Sequence, residues 1–140
     1  VPPYGPPLRG EFAVRGPERI ALTGRNGAGK TALLRTVAGE LAPVSGEAAA
    51  LVPLGFLPQR LDVLDEALSV VENVQRSAPG LTDNGVRARL AHFLFKGGAA
   101  DHAAGTLSGG ERFRAALAML LLADPAPRML LLDEPTNSLD

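Results

Sequence analysis

Apolar residues fall in short runs separated by glycine and proline, and each run predicts a small element. Residues 19–23 (RIALT) lie between Pro17 and Gly24 and predict a strand. Residues 11–15 predict a weaker one. Residues 30–38 place Leu33, Leu34 and Val37 on one helical face, with Gly39 as the stop. Ser45-Gly46 turns the chain into a strand over 48–52, and residues 55–57 predict another, ended by Pro58. From Leu61 to about Phe95 the spacing becomes helical: Leu64, Leu68, Val71 and Val74, a break at Pro79-Gly80, then Val86, Leu90, Phe93 and Leu94. Residues 97–105 read as a loop of small side chains. Residues 108–123 predict a helix that Asp124-Pro125 ends. Residues 129–132 are wholly apolar, the pattern of a strand buried on both faces. Strands alternating with helices predict an α/β fold with a mainly parallel sheet. Pro2, Pro3, Pro6 and Pro7 make residues 1–10 an extended linker or end.

Composition narrows the function classes. The 140 residues allow one domain or part of one. A hydrophobic fraction of 46% supports a buried core and excludes wholesale disorder. Fourteen basic side chains against fifteen acidic ones leave no bulk electrostatic grip on nucleic acid. Twelve arginines against two lysines, with abundant alanine, read as the bias of a GC-rich genome. Cysteine is missing, which removes disulfides, thiolate metal sites and a cysteine nucleophile. The longest apolar run, residues 115–123, is nine residues, about half of the roughly twenty that a membrane-spanning helix needs. No signal segment opens the chain. The expectation is a cytoplasmic setting without direct membrane insertion.

Two local patterns carry chemistry. Gly24-Arg25-Asn26-Gly27-Ala28-Gly29-Lys30-Thr31 matches G-x-x-x-x-G-K-[ST] between a predicted strand and a predicted helix. Glycines let successive backbone N–H groups face one concave space, and the helix dipole adds positive potential. Lys30 can place a compact charge against the β- and γ-phosphates of a nucleotide, and the Thr31 hydroxyl suits Mg²⁺, which prefers hard oxygen donors. The second pattern is the run 129–132 followed by Asp133 and Glu134. Taken alone, two acids after a strand are an ordinary solvated loop. With a phosphate loop upstream, they sit where α/β sheets bind ligands, at the carboxyl ends of strands. Asp133 is then placed to hold Mg²⁺, directly or through water, and Glu134 to polarise an attacking water.

Further residues give a family resemblance. Leu107-Ser108-Gly109-Gly110-Glu111 resembles the LSGG[QE] signature of ATP-binding cassette (ABC) ATPases. Gln59 stands where that family keeps its Q-loop glutamine, and residues 134–140 (EPTNSLD) resemble the passage from Walker B into the D-loop. The motifs come in the family's order over roughly residues 15–140. Ser108 and Glu111 also form a capping-box pattern. The readings are compatible, since a capped helix start flanked by two glycines still offers amides to an anion.

The resemblance implies a P-loop NTPase fold of ABC type: a RecA-like, mainly parallel core sheet, a small antiparallel β part and a helical lobe. It puts the core at about 11–60 and 125–140, and the lobe at about 61–124. It implies ATP and Mg²⁺ as cofactors, with Thr31, Gln59 and Asp133 arranging the metal and Glu134 and Gln59 serving hydrolysis. Ser108, Gly109, Gly110 and Asp140 would serve the ATP of a second cassette, in the same chain or a homodimer. Glu111 after LSGG and Asn137 in EPTN resemble the ABC-F branch, soluble duplicated cassettes acting on ribosomes. Ser138 departs from the histidine or asparagine frequent there. The alternative is the ATP-binding subunit of a transporter, with a membrane permease as partner. The family's switch histidine is expected beyond Asp140, so the expectation is a partial domain, inactive on its own; His92 and His102 precede the signature and have no assigned role. Tyr4 and Phe12 are the candidates for stacking on adenine.

Overall fold

A computed structural model describes residues 9–135. The chain divides into two compact units, Val1–Ala50 and Leu51–Asp140. Among the described residues of the first unit, the regular element is helix α1, Lys30–Val37. It closes as its sequence predicts: Ala38 donates its N–H to Leu34 O at 2.8 Å, and Gly39 donates to Thr36 O at 3.1 Å. The strands expected at 11–15, 19–23 and 48–52 do not form. A strand needs a neighbour to take its N–H and C=O groups, and among the described residues none pairs with these segments. Their apolar side chains stay in solvent, with Phe12 and Ile20 each 64% exposed.

The second unit holds strand β1 (Leu54–Leu57), helices α2 (Val70–Ser77), α3 (Asp83–Leu90) and α4 (Gly109–Leu121), and strand β2 (Met129–Leu132). Short 3-10 turns at Ala91–Phe93, Gly97–Asp101 and Ala104–Thr106 fill the passage from α3 to α4. The core is built from Leu57, Val70, Val74, Val86, Leu90 and Phe95, closed by Ala115, Ala116 and Ala118 of α4. Burying each Val, Leu or Phe side chain stabilises by about 1.5–3 kcal/mol.

The periodic stretch from Leu61 becomes helix only at Val70. Two features set that boundary. Ser69 and Glu72 form a full capping box, with Ser69 N–H donating to Glu72 Oε2 at 2.7 Å and Glu72 N–H to Ser69 Oγ at 3.2 Å. Asn73, wholly buried, holds the preceding residues out of the helix. It accepts from Asp65 N–H at 2.8 Å and donates to the carbonyls of Asp65, Leu68 and Ser69. An amide side chain has few lone pairs and protons to offer, and nearly all of these find partners.

β1 and β2 run parallel, in the register Leu54 with Met129 through Leu57 with Leu132. The parallel pairing matches the expected fold. The antiparallel β part does not appear among the described residues, where antiparallel pairing is a single bridge, Ser69 with Ala103. β2 is also not buried on both faces. Leu131 is buried, while Leu130 and Leu132 are 39% exposed. A two-stranded sheet has too few neighbours to cover both faces of an apolar strand.

α4 lies hard against β1. A Cβ on Gly55 would stand 2.8 Å from Leu120 Cγ and 2.9 Å from Leu130 Cδ2. Gly55→Ala should therefore destabilise the full-length protein by about 1–3 kcal/mol, the usual cost of overpacking. An unchanged urea midpoint would refute this contact. The capping boxes predict an acid sensitivity. The Glu72 carboxyl lies below its ordinary range because it accepts from the Ser69 backbone and hydroxyl, and Glu111 does the same at Ser108. A folded pKa depressed in this way contributes stability above the unfolded value and loses it as pH falls through the folded one. The double variant Glu72→Gln, Glu111→Gln should lose less stability than wild type between about pH 5 and about pH 3. Equal acid-side slopes in urea titrations would contradict this.

Candidate functional site

The phosphate loop is shaped by two left-handed glycines. Gly27 has φ 80° and Gly29 has φ 95°, values that side chains other than glycine rarely adopt. Ala28 N–H closes a turn on Arg25 O at 3.1 Å, and Gly29 becomes the N-cap of α1. No side chain caps this helix, and its first turn carries no acid. The other three α-helices among the described residues are each closed by a side chain: Ser69, Thr82 and Ser108. The first amides of a helix need acceptors. At α1 that need is left for an anion. Gly24, Arg25, Asn26, Gly27 and Ala28 are exposed, and Gly29, Lys30 and Thr31 half-buried. Lys30 Nζ donates to Gly24 O at 2.8 Å and Arg25 O at 3.2 Å, so its charge folds back over the loop.

In the second unit, the sheet gathers three of the candidate residues. Gln59 follows β1, and Asp133 and Glu134 follow β2. The parallel register brings both strands to an end together, and Asp133 N–H extends the ladder by donating to Leu57 O at 3.0 Å. Asp133 is only 4% exposed, and its buried Oδ2 has no hydrogen-bond partner. A buried carboxylate oxygen left over in this way is costly by itself and chemically suited to a hard cation. Among the described residues, no group of three or more histidines, cysteines or acids is placed to hold a metal ion. A cation there would need hydroxyl, amide, water or phosphate oxygens as well, the donor set that Mg²⁺ favours. Glu134 is half-buried with φ 47°, a left-handed backbone at a non-glycine residue. Gln59 is exposed.

The signature segment opens α4. Ser108 N–H donates to Glu111 Oε2 at 2.8 Å, and Glu111 N–H lies 3.4 Å from Ser108 Oγ. The predicted capping box is thus present, with Gly109 and Gly110 forming the first turn. The Leu120 contact with β1 lies about 18 Å further along the helix, at about 1.5 Å per residue. His92 and His102 are exposed. Phe12 is neither a core strand residue nor covered. Tyr4 and Asp140 lie outside the described residues.

Sequence reasoning missed three polar anchors. Asn73 had no local signal. The Ser69-x-x-Glu72 box was readable from its spacing but was absorbed into a longer helix. The pairing of Arg112 Nη2 with Glu66 Oε1 at 2.9 Å joins residues 46 positions apart, which no local pattern reveals.

Comparison with known proteins gives the family. The family model described as ABC transporter matches residues 9–137. The "Probable ATP-binding protein YheS" of Haemophilus influenzae is 43% identical over 87% of this chain. The mouse "ATP-binding cassette sub-family F member 3" is 38% identical over the same share. The chain spans 19% and 17% of the length of these relatives. A solved "RNase-L Inhibitor" structure superposes with a TM-score of 0.61 at 31% identity, over 79% of this chain and 21% of that one. Sub-family F relatives favour the ABC-F reading over a transporter subunit. With its family match running from before the phosphate loop to beyond Glu134, the chain belongs to the ABC transporter family and is an ATP-binding cassette of ABC-F type.

Proposed function

We propose that this cassette binds Mg·ATP and hydrolyses it to ADP and phosphate within a two-cassette ABC-F protein, with the ribosome as the machine it serves. The observation that carries the reading is the start of α1. Among the described α-helices it alone lacks a side-chain cap, and it follows the loop that Lys30 covers.

Binding comes first in the mechanism. The amides of residues 24–31 and the N-terminus of α1 hold the phosphates. Lys30 exchanges its carbonyl acceptors for β- and γ-phosphate oxygens, a swap from neutral to charged partners that strengthens each bond. Thr31, Gln59 and Asp133 would hold Mg²⁺, which supplies neutralisation of phosphate charge. Glu134 orients the attacking water and draws off its proton. Little covalent chemistry is asked of the protein, and positioning with electrostatic stabilisation lowers the barrier. Ser108, Gly109, Gly110 and Asp140 act on the nucleotide of the other cassette. In this reading, residues 11–60 and 125–140 form the nucleotide core and 61–124 the helical lobe. The protein works in the cytoplasm, without a permease.

Full-length Lys30→Ala should lose ATP binding, measured with a fluorescent ATP analogue. Glu134→Gln should keep binding, accumulate an ATP-bound dimerised state, and lose turnover by on the order of 10²-fold or more, the usual share of a general base. Undiminished phosphate release by Glu134→Gln would remove the role given to that residue. Ribosome co-sedimentation of Glu134→Gln with ATP tests the partner, and its absence would remove the ribosome from the proposal.

A further inference from the structure

The stretch after Gln59 and the stretch before Ser108 are stitched together. Val70 N–H donates to His102 O at 3.2 Å, Ala104 N–H to Leu68 O at 2.8 Å, and Gly105 N–H to Glu66 O at 3.0 Å. Ser69 and Ala103 face each other as an antiparallel bridge in the middle of this strap. The approach is close, since a Cβ on Gly105 would stand 3.1 Å from Glu66 O. The strap then reaches α4 through side chains. Glu66 Oε1 accepts from Arg112 Nη2 at 2.9 Å. Arg112 Nη1 lies 3.5 Å from Ala104 O, and the Arg112 N–H donates to Ser108 O at 2.8 Å. The bond to Ser108 O is the helix's own first-turn backbone bond, so the Arg112 side chain, through Glu66 and Ala104 O, ties that first turn to both sides of the strap. Asn73 anchors the near side by gripping Asp65, Leu68 and Ser69.

We propose that Glu66 and Arg112 are positioning residues for ATP hydrolysis. They hold Ser108, Gly109 and Gly110 at the angle that the other cassette's γ-phosphate requires, and they make that angle follow the Gln59 segment. The inference rests on the ATPase reading above, with the signature acting on the partner nucleotide. Electrostatics separates this role from a purely structural one. The Glu66 side chain is 69% exposed and that of Arg112 is 23% exposed. A pair this open to water adds little to stability and is screened by salt. Its contribution is to direction. A misplacement of about 1 Å at a reacting site can cost up to about 10²-fold in rate, far more than the pair adds to folding.

The test uses the full-length protein. Wild type, Glu66→Gln, Arg112→Gln and the exchanged pair Glu66→Arg with Arg112→Glu are compared for ATPase kcat, mant-ATP affinity and urea midpoint. Each single variant should lose about tenfold in kcat, within the range that misplacement allows, while mant-ATP affinity and midpoint hold. The exchanged pair should recover most of the loss, and added salt should carry wild-type kcat towards that of Glu66→Gln. Single variants that turn over like wild type would overturn the proposal. So would a kcat loss that tracks the midpoint or resists the exchange. Turnover in wild type that Glu134→Gln arrests shows the ATPase reading standing on its own. A wild type without turnover overturns both.

Discussion

The missing side chain at Gly55 is the constraint on which the second unit depends. Without it, α4 comes into contact with β1 through Leu120, at a distance no Cβ would permit. That contact lets the small residues Ala115, Ala116 and Ala118 of α4 seal the core. β1 pairs with β2 in parallel register, so that Gln59 and the two acids follow the strands at the same end of the sheet. A helix that carries the signature at its start and packs on the Q-loop strand near its end makes one body of both motifs. Protein interiors are close-packed and transmit shifts, so displacement at one end of such a body is felt at the other.

The helix starts divide the electrostatic labour. α2, α3 and α4 satisfy their first amides with their own side chains, and two of them add a glutamate whose carboxyl is held in its charged form by the same bonds. These helices are locally complete. α1 delegates its first amides instead, and Lys30 covers nearby carbonyls of the loop. On the proposed function, selectivity for a phosphate anion follows from this contrast: potential is exposed at one helix start and neutralised at the others. A chain with net charge near zero can therefore bind a highly charged nucleotide without a basic surface.

What the sequence disclosed was what short spacing controls. The phosphate loop, the stop at Gly39, the box at Ser108 and the acids after β2 all depend on residues a few positions apart. The strands at 11–15, 19–23 and 48–52 did not follow, because a ladder is a relation between distant segments and apolar alternation speaks for one segment only. The start of α2 was misread because helical spacing begins at Leu61, while the polar grip of Asn73 on Asp65, Leu68 and Ser69 keeps those residues out of the helix. Arg112 and Glu66 were invisible for a similar reason. The local shapes around the candidate residues were legible; the side-chain tie between Glu66 and Arg112 at the start of α4 was not.

Glu134 sits at φ 47°, a conformation that disfavours every residue with a branched or extended side chain by about 1–2 kcal/mol relative to glycine. The same torsion turns the backbone out of the direction of a continuing strand. Glycine would relax the backbone and remove the acid. On the proposed mechanism, the acid and the backbone strain therefore come together, and turnover is served by a conformation that the backbone alone would not choose.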